Sequence, residues 1–132
     1  MMTMQSWALQ VPRLSARFRC VLHDFRGQLR SGKPGRYTLQ QHVDDLRALL
    51  DLLGIERADV AGTSYGGENG MLFALAHPER VRRLVAIACV SEADDALRAT
   101  VGRWIDVARH DPDRLYEATD RFSMAMAGSA AC

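Results

Sequence analysis

The amino-acid sequence predicts an α/β fold, a parallel sheet of about three strands with flanking helices. Strand-like and helical segments alternate in the order strand, helix, strand, helix, strand, the pattern of parallel strands joined by right-handed crossovers. Two of the strand segments, Ala58 to Thr63 (ADVAGT) and Leu84 to Val90 (LVAIACV), are short apolar runs, as strands covered on both faces are. Between strands, Thr38 followed three residues later by Gln41 forms a capping box. It opens a run in which Leu39, Val43, Leu46, Leu50 and Leu53 recur at helical spacing until Gly54 stops it.

The remaining elements follow in chain order. Met4 to Leu14 places Trp7, Val11 and Leu14 on one helical face, with Pro12 disturbing the run. Phe18 to Leu22 reads as the first strand, and His23 to Arg36 as a long loop turning at Gly27, Gly32, Pro34 and Gly35. The Ala58 strand runs directly into Ser64-Tyr65-Gly66-Gly67, and a helix from about Tyr65 to Ala76 ends at His77-Pro78. Beyond Val90, Ser91 with Asp94 three residues on caps a helix in which Leu97, Val101, Trp104 and Ala108 share a face. Asp111-Pro112 starts another, with Leu115, Ala118 and Phe122 inside it. The tail, Ser123 to Cys132, has neither period nor turn logic, and there is no internal repeat.

Composition narrows the class. With 132 residues, 48% hydrophobic and 25% charged, the chain reads as one soluble globular domain and not as a disordered tail or a fibre. It contains no apolar run of the roughly 18 residues a membrane helix needs, and no basic-then-apolar leader, so the cytoplasm is the expected location. Cys20, Cys89 and Cys132 are far apart with no C-x-x-C pair, so they read as reduced thiols, and no metal-ligand spacing occurs. Residues 1–36 carry a net charge of +6 and the rest −5. These basic residues have no helical spacing and few interleaved aromatics, so a nucleic-acid partner is not expected. No P-loop or G-x-G-x-x-G is present, and no cofactor is expected.

Gly62-Thr63-Ser64-Tyr65-Gly66 matches G-x-S-x-G. The pattern alone is weak. Its position, joining a buried strand to a helix, is where a nucleophile elbow lies, with Gly62 and Gly66 permitting a tight turn that lifts the Ser64 hydroxyl clear of the sheet. The first N–H groups of the following helix then point where an oxyanion would form.

Several motifs in order resemble the α/β-hydrolase superfamily over about residues 4 to 90. Asp24-Phe25-Arg26-Gly27 followed by Ser31 is similar to the family's D-x-R-G-x-G-x-S loop, with Leu29 in place of the second glycine. Tyr37-Thr38-Leu39 then opens the long helix that carries Asp45. The elbow follows, and after it Ala74-Leu75-Ala76-His77-Pro78-Glu79-Arg80-Val81 leads into the Leu84 strand. The resemblance implies that Ser64 is the nucleophile and that the Tyr65 N–H is one oxyanion donor. It makes residues 1–90 a partial hydrolase core, 91–122 the start of a helical cap and 123–132 an irregular tail. The family's base and acid usually follow strands beyond the cap, and its second oxyanion donor precedes the first strand found here. The chain is therefore expected to be an incomplete α/β-hydrolase, a truncated member with little activity alone.

Four histidines are available as substitutes for the base. His77 lies thirteen residues after Ser64 along one helix, roughly 20 Å away, and is excluded. His42 is expected as a partly exposed helix residue. His23, at the end of the first strand, and His110, in the presumed cap, remain as candidates. For the acid, Glu92, Asp94 or Asp95 follow the last strand, although helix capping also explains them. Glu68, one turn after Ser64, is expected as a buried structural carboxylate.

The functional expectation is hydrolysis of a small-molecule ester or lactone through Ser64. Alternatives are perhydrolase or C–C hydrolase chemistry, and, from a different class, a non-catalytic fragment or interaction module. Exposed apolar sheet edges are expected to cause self-association. Size-exclusion chromatography with thermal unfolding tests this. Oligomers of low stability are expected, and a monodisperse monomer melting cooperatively above about 55 °C would overturn the expectation.

Overall fold

In a computed structural model, which describes residues 3–33 and 35–114, the chain divides into two units, Met1–Val90 and Ser91–Cys132. The first unit begins with a single 3₁₀ turn at Met4–Trp7 and a four-residue helix, α1 (Val11–Leu14), with Pro12 in its first turn. Proline lacks the N–H that an interior helical residue would donate, which is why the expected continuous amphipathic helix is two short pieces. The long helix α2 (Leu39–Leu52) starts where its capping box places it: the Thr38 hydroxyl accepts from Gln41 N–H at 3.2 Å, and the Gln41 side chain accepts from Thr38 N–H at 2.8 Å. It ends in a Schellman motif, with Gly54 at φ +64°, its N–H on the Asp51 carbonyl, and Ile55 N–H on the Leu50 carbonyl.

Strand β1 (Ala58–Thr63), helix α3 (Tyr65–Ala76) and strand β2 (Val81–Ile87) form one parallel β-α-β unit. The strands pair from Ala58 with Val81 to Thr63 with Ile87, with one irregularity between Ala58 and Asp59. Among the described residues the sheet has two strands, where about three are expected. Phe18 to Leu22 pairs with no strand among the described residues, and an apolar run becomes a strand only where a neighbour completes its ladder. Strand β2 also starts and stops three residues earlier than the apolar run suggests. Arg82 and Arg83 lie at exposed positions on it, where Arg82 meets the Asp59 carboxylate at 3.6 Å, and the strand stops where Ala88 turns to φ +49°.

The core lies between the sheet and the two long helices. Val43 and Leu50 of α2 and Phe73 of α3 are buried, with Leu46, Ile55, Ala58, Val60 and Val81 packed around them. Gly70 brings α3 close to the sheet: a Cβ there would lie 3.0 Å from Leu84 and 3.4 Å from Val60. Arg80 ties the far end of this unit by donating to the Ile55 and Glu56 carbonyls at 2.9 and 2.7 Å, and it pairs with Asp51 at 2.7 Å. Val85 and Ile87 remain exposed on β2, and among the described residues no strand pairs with its outer edge.

The loop before α2 is held by the residues of its motif. The Asp24 carboxylate accepts Met4 N–H at 2.7 Å, the Ser31 hydroxyl donates to the Asp24 carbonyl at 2.7 Å, and Gly27 N–H donates to the Gly32 carbonyl at 2.7 Å. Leu29 adopts φ +38°, so the backbone keeps the conformation for which a glycine is suited although the residue is leucine.

The second unit contains helix α4 (Asp95–His110). Asp94, not Ser91, is its N-cap, with the carboxylate accepting Leu97 N–H at 2.7 Å. Leu97 and Trp104 are half-buried as expected, whereas Val101 and Ala108 are exposed. A 3₁₀ turn at Pro112–Arg114 follows. The expected helix residues Leu115, Ala118 and Phe122, and the tail, lie outside the described residues. Among the described residues no helix is long and apolar enough to cross a membrane.

Leu29→Gly should raise thermal stability by about 1 kcal/mol, because it relieves a left-handed leucine whose side chain is 48% exposed and packs little. Calorimetric or circular-dichroism melting of the two proteins checks the sign.

Candidate active site

The turn between β1 and α3 consists of Ser64 alone. The strand ends at Thr63 and the helix begins at Tyr65, which leaves Ser64 at φ +53°, ψ −126°. This conformation costs a non-glycine residue about 1–3 kcal/mol and persists only where surrounding bonds impose it. Here they do. Ser64 N–H donates to the Ile87 carbonyl at 2.8 Å, and the Ser64 carbonyl accepts from Gly67 and Glu68 N–H at 2.8 and 3.1 Å. The side chain is left exposed at the carboxyl ends of both strands. Among the described residues the Tyr65 and Gly66 N–H groups, first in α3, have no backbone partner and are available to an anionic oxygen.

The glycines divide differently from the pattern that marked them. A Cβ on Gly62 would lie 2.2 Å from the Gly66 carbonyl oxygen, so only glycine fits. Gly66 has open space around it. The second tight position is Gly67, where a Cβ would lie 2.8 Å from Cys89 Sγ and 3.1 Å from the Gly62 carbonyl oxygen.

Beside the elbow, the loop, α2 and α3 meet in a cluster of rings. His42 is 2% exposed, which corrects the expectation of a partly exposed helix residue. The loop folds over the start of α2, so that Phe25 stacks on the His42 ring at 4.8 Å and Tyr37 at 5.1 Å. The Tyr65 hydroxyl hydrogen-bonds His42 Nδ1 at 2.8 Å, and the Tyr65 ring meets both Phe25 and His42 edge-on. The signal was present in the sequence: His42 follows Leu39 by three residues and precedes Leu46 by four, inside the apolar stripe. Next to the cluster Arg26 forms a two-pronged pair with Asp45, Nε bonding Oδ2 at 2.6 Å and Nη2 bonding Oδ1. That pairing holds the Asp45 carboxyl below its ordinary value and raises Arg26. Tyr65 is raised above its ordinary value, chiefly by burial.

The other expected site residues are placed as follows. His23 is half-buried beside Phe25, ring centroids 5.2 Å apart, its Nε2 has no hydrogen-bond partner among the described residues, and burial lowers its pKa. Among the described residues no imidazole bonds the Ser64 hydroxyl. Asp94 and His110 stand at opposite ends of the 16-residue α4, roughly 24 Å apart, so they cannot form a carboxylate–imidazole pair with each other. The Asp94 carboxylate is occupied as a cap, and His110 Nδ1 donates to the Asp106 carbonyl at 2.9 Å. Glu68 is half-buried rather than buried, and its carboxylate accepts no hydrogen bond from the described residues.

A family model described as the alpha/beta hydrolase fold matches residues 2–127. The chain belongs to the α/β-hydrolase fold family. Among its relatives, "Putative carbamate hydrolase RutD" of Caulobacter sp. is 40% identical over 94 residues, covering 70% of this chain and 35% of that protein. A 2-hydroxymuconate semialdehyde hydrolase of Pseudomonas sp. is 40% identical over 82 residues, 61% of this chain and 29% of that protein. Of solved structures, an alpha/beta hydrolase enzyme from a Medee basin deep-sea metagenome library superposes with TM-score 0.84 at 30% identity, covering 90% of this chain and 44% of that one. The chain spans about a third of the length of the curated relatives it matches.

Two outcomes follow from this geometry. Gly62→Ala should cost about 3 kcal/mol, because backbone must move to admit the methyl group, whereas Gly66→Ala should be neutral or stabilise by up to about 1 kcal/mol; denaturant unfolding separates them. The second concerns acid. His23 and His42 are both depressed below the ordinary 6.5, in each case chiefly by burial. The unfolded chain therefore takes up protons first as pH falls. Stability should be constant above about pH 7 and should fall from about pH 6.5 downward, which melting curves between pH 8 and 5 will show.

Proposed function

We propose that Ser64 is the nucleophile of a serine hydrolase acting on small esters or lactones. The observation that carries this reading is the backbone of Ser64, a left-handed residue between β1 and α3 with an exposed hydroxyl and two unpartnered N–H groups beside it. In the reaction, the Ser64 hydroxyl oxygen would attack the carbonyl carbon and lose its proton to a base. The carbonyl oxygen would take up the electron pair, with the Tyr65 N–H donating to it. Collapse would expel the alcohol and leave an acyl ester on Ser64, which water would hydrolyse.

No histidine is assigned as the base, because none of the described ones bonds Ser64. Without one, Ser64 keeps the high pKa of an alcohol. Carbamate or C–C bond hydrolysis is a second reading, favoured by the names of the two relatives, and it uses the same attack on a carbonyl carbon.

The test has two parts. A fluorophosphonate should form a slow adduct that tandem mass spectrometry maps to Ser64 and that Ser64→Ala abolishes; an adduct elsewhere, or one that survives the substitution, overturns the reading. Turnover of p-nitrophenyl butyrate by this chain should lie about 10⁴- to 10⁶-fold below that of a serine hydrolase with its base in place.

A further inference from the structure

We propose that His42 is a positioning residue for the nucleophile turn: its uncharged ring holds the Tyr65 side chain and thereby fixes the backbone of Ser64. Only the functional consequence rests on Ser64 being the nucleophile.

Tyr65 directly follows Ser64, and it is tied at both ends. Its hydroxyl is bonded to His42 Nδ1 on α2, and its carbonyl accepts from the buried Asn69 side chain at 2.9 Å on α3. The His42 ring in turn cannot swing, because it is clamped between Phe25 and Tyr37, and the Tyr37 ring also closes on Gly27, where a Cβ would lie 2.7 Å from it. One imidazole therefore joins the loop, α2 and the residue after the elbow serine.

Nδ1 has one partner, the Tyr65 hydroxyl, and Nε2 is buried with none among the described residues. A neutral ring meets this arrangement by accepting the hydroxyl proton at Nδ1. A protonated ring carries an N–H at both nitrogens, so the bond to Tyr65 would persist only in reverse, Nδ1 donating to the hydroxyl oxygen, and the added charge would be buried. The charged groups around it do not compensate. From the loop, His23 and the Arg26 guanidinium oppose a positive charge, while the Arg26 backbone carbonyl favours one. From α2, Asp45 favours it but is engaged by Arg26, and from α3 come only Tyr65 and, behind it, Glu68. Burial therefore favours the uncharged ring, in which Nδ1 accepts the Tyr65 hydroxyl proton.

Amide hydrogen exchange on the full 132-residue chain reads this directly, with no need for catalysis. The reporters are the hydrogen-bonded amides of Ser64, Gly67 and Glu68, compared with Val60 and Ala61 in β1. In His42→Phe, and in Tyr65→Phe should the first variant fold poorly, the elbow amides should exchange about tenfold faster relative to the strand amides at pH 7.5, the worth of one hydrogen bond. His42→Asn, which restores an acceptor for the Tyr65 hydroxyl, should recover part of the protection. Wild-type elbow protection in Tyr65→Phe overturns the proposal. Failure of fluorophosphonate labelling with the exchange pattern intact would instead overturn only the reading of Ser64 as nucleophile.

Discussion

The single residue between β1 and α3 sets the terms for everything near it. A serine at φ +53° is held there by a hydrogen bond from its N–H to Ile87 and by two to its carbonyl from the first turn of α3. For these to form together, Gly62 and the Gly66 carbonyl must approach within a distance that forbids a side chain, and Gly67 must pass over Cys89. The packing that supplies the necessary stability lies elsewhere. Phe73, Val43 and Leu50 are gathered against Ala58, Val60 and Val81, toward the starts of the strands, so the favourable burial and the strained turn occupy different parts of one unit.

The loop from His23 to Tyr37 connects those two parts. Its charged residue is committed to α2 through the Arg26–Asp45 pair, its aromatic residues enclose His42, and its turns are made at Gly27 and Leu29. Each depends on the others, because a ring can stack on His42 only if the turn returns the chain to it. The persistence of a left-handed leucine is consistent with this. The contacts made by the flanking residues outweigh the roughly 1–2 kcal/mol that the leucine costs.

Local signals in the sequence predict the capped helix, β1 and α3 to within a residue, because each is specified by its own termini: Thr38 with Gln41, the Gly-rich turn at Ser64, and His77-Pro78. What the sequence does not reveal is partnership. Phe18 to Leu22 has the composition of a strand and no strand partner among the described residues, whereas Arg82 and Arg83 look unlike a strand and belong to one, with exposed side chains. The site shows the same division. Ser64 is found by pattern, while His42, a polar residue in an apolar stripe, shows its role only once the loop that covers it is placed.

The bond from Ser64 N–H to the Ile87 carbonyl also fixes an order of events during folding. The two residues are separated by the whole of α3 and most of β2, so this contact closes a long chain segment and pays the corresponding entropy. Helix α3 can form earlier from local interactions, with Ser64 still relaxed in an ordinary extended conformation. Only when β2 comes into register can the bond to Ile87 join the two local ones that hold the serine at positive φ. The chemically exposed geometry is thus among the last features the chain acquires, and a nascent or partly unfolded molecule would carry the same residues without presenting the same turn.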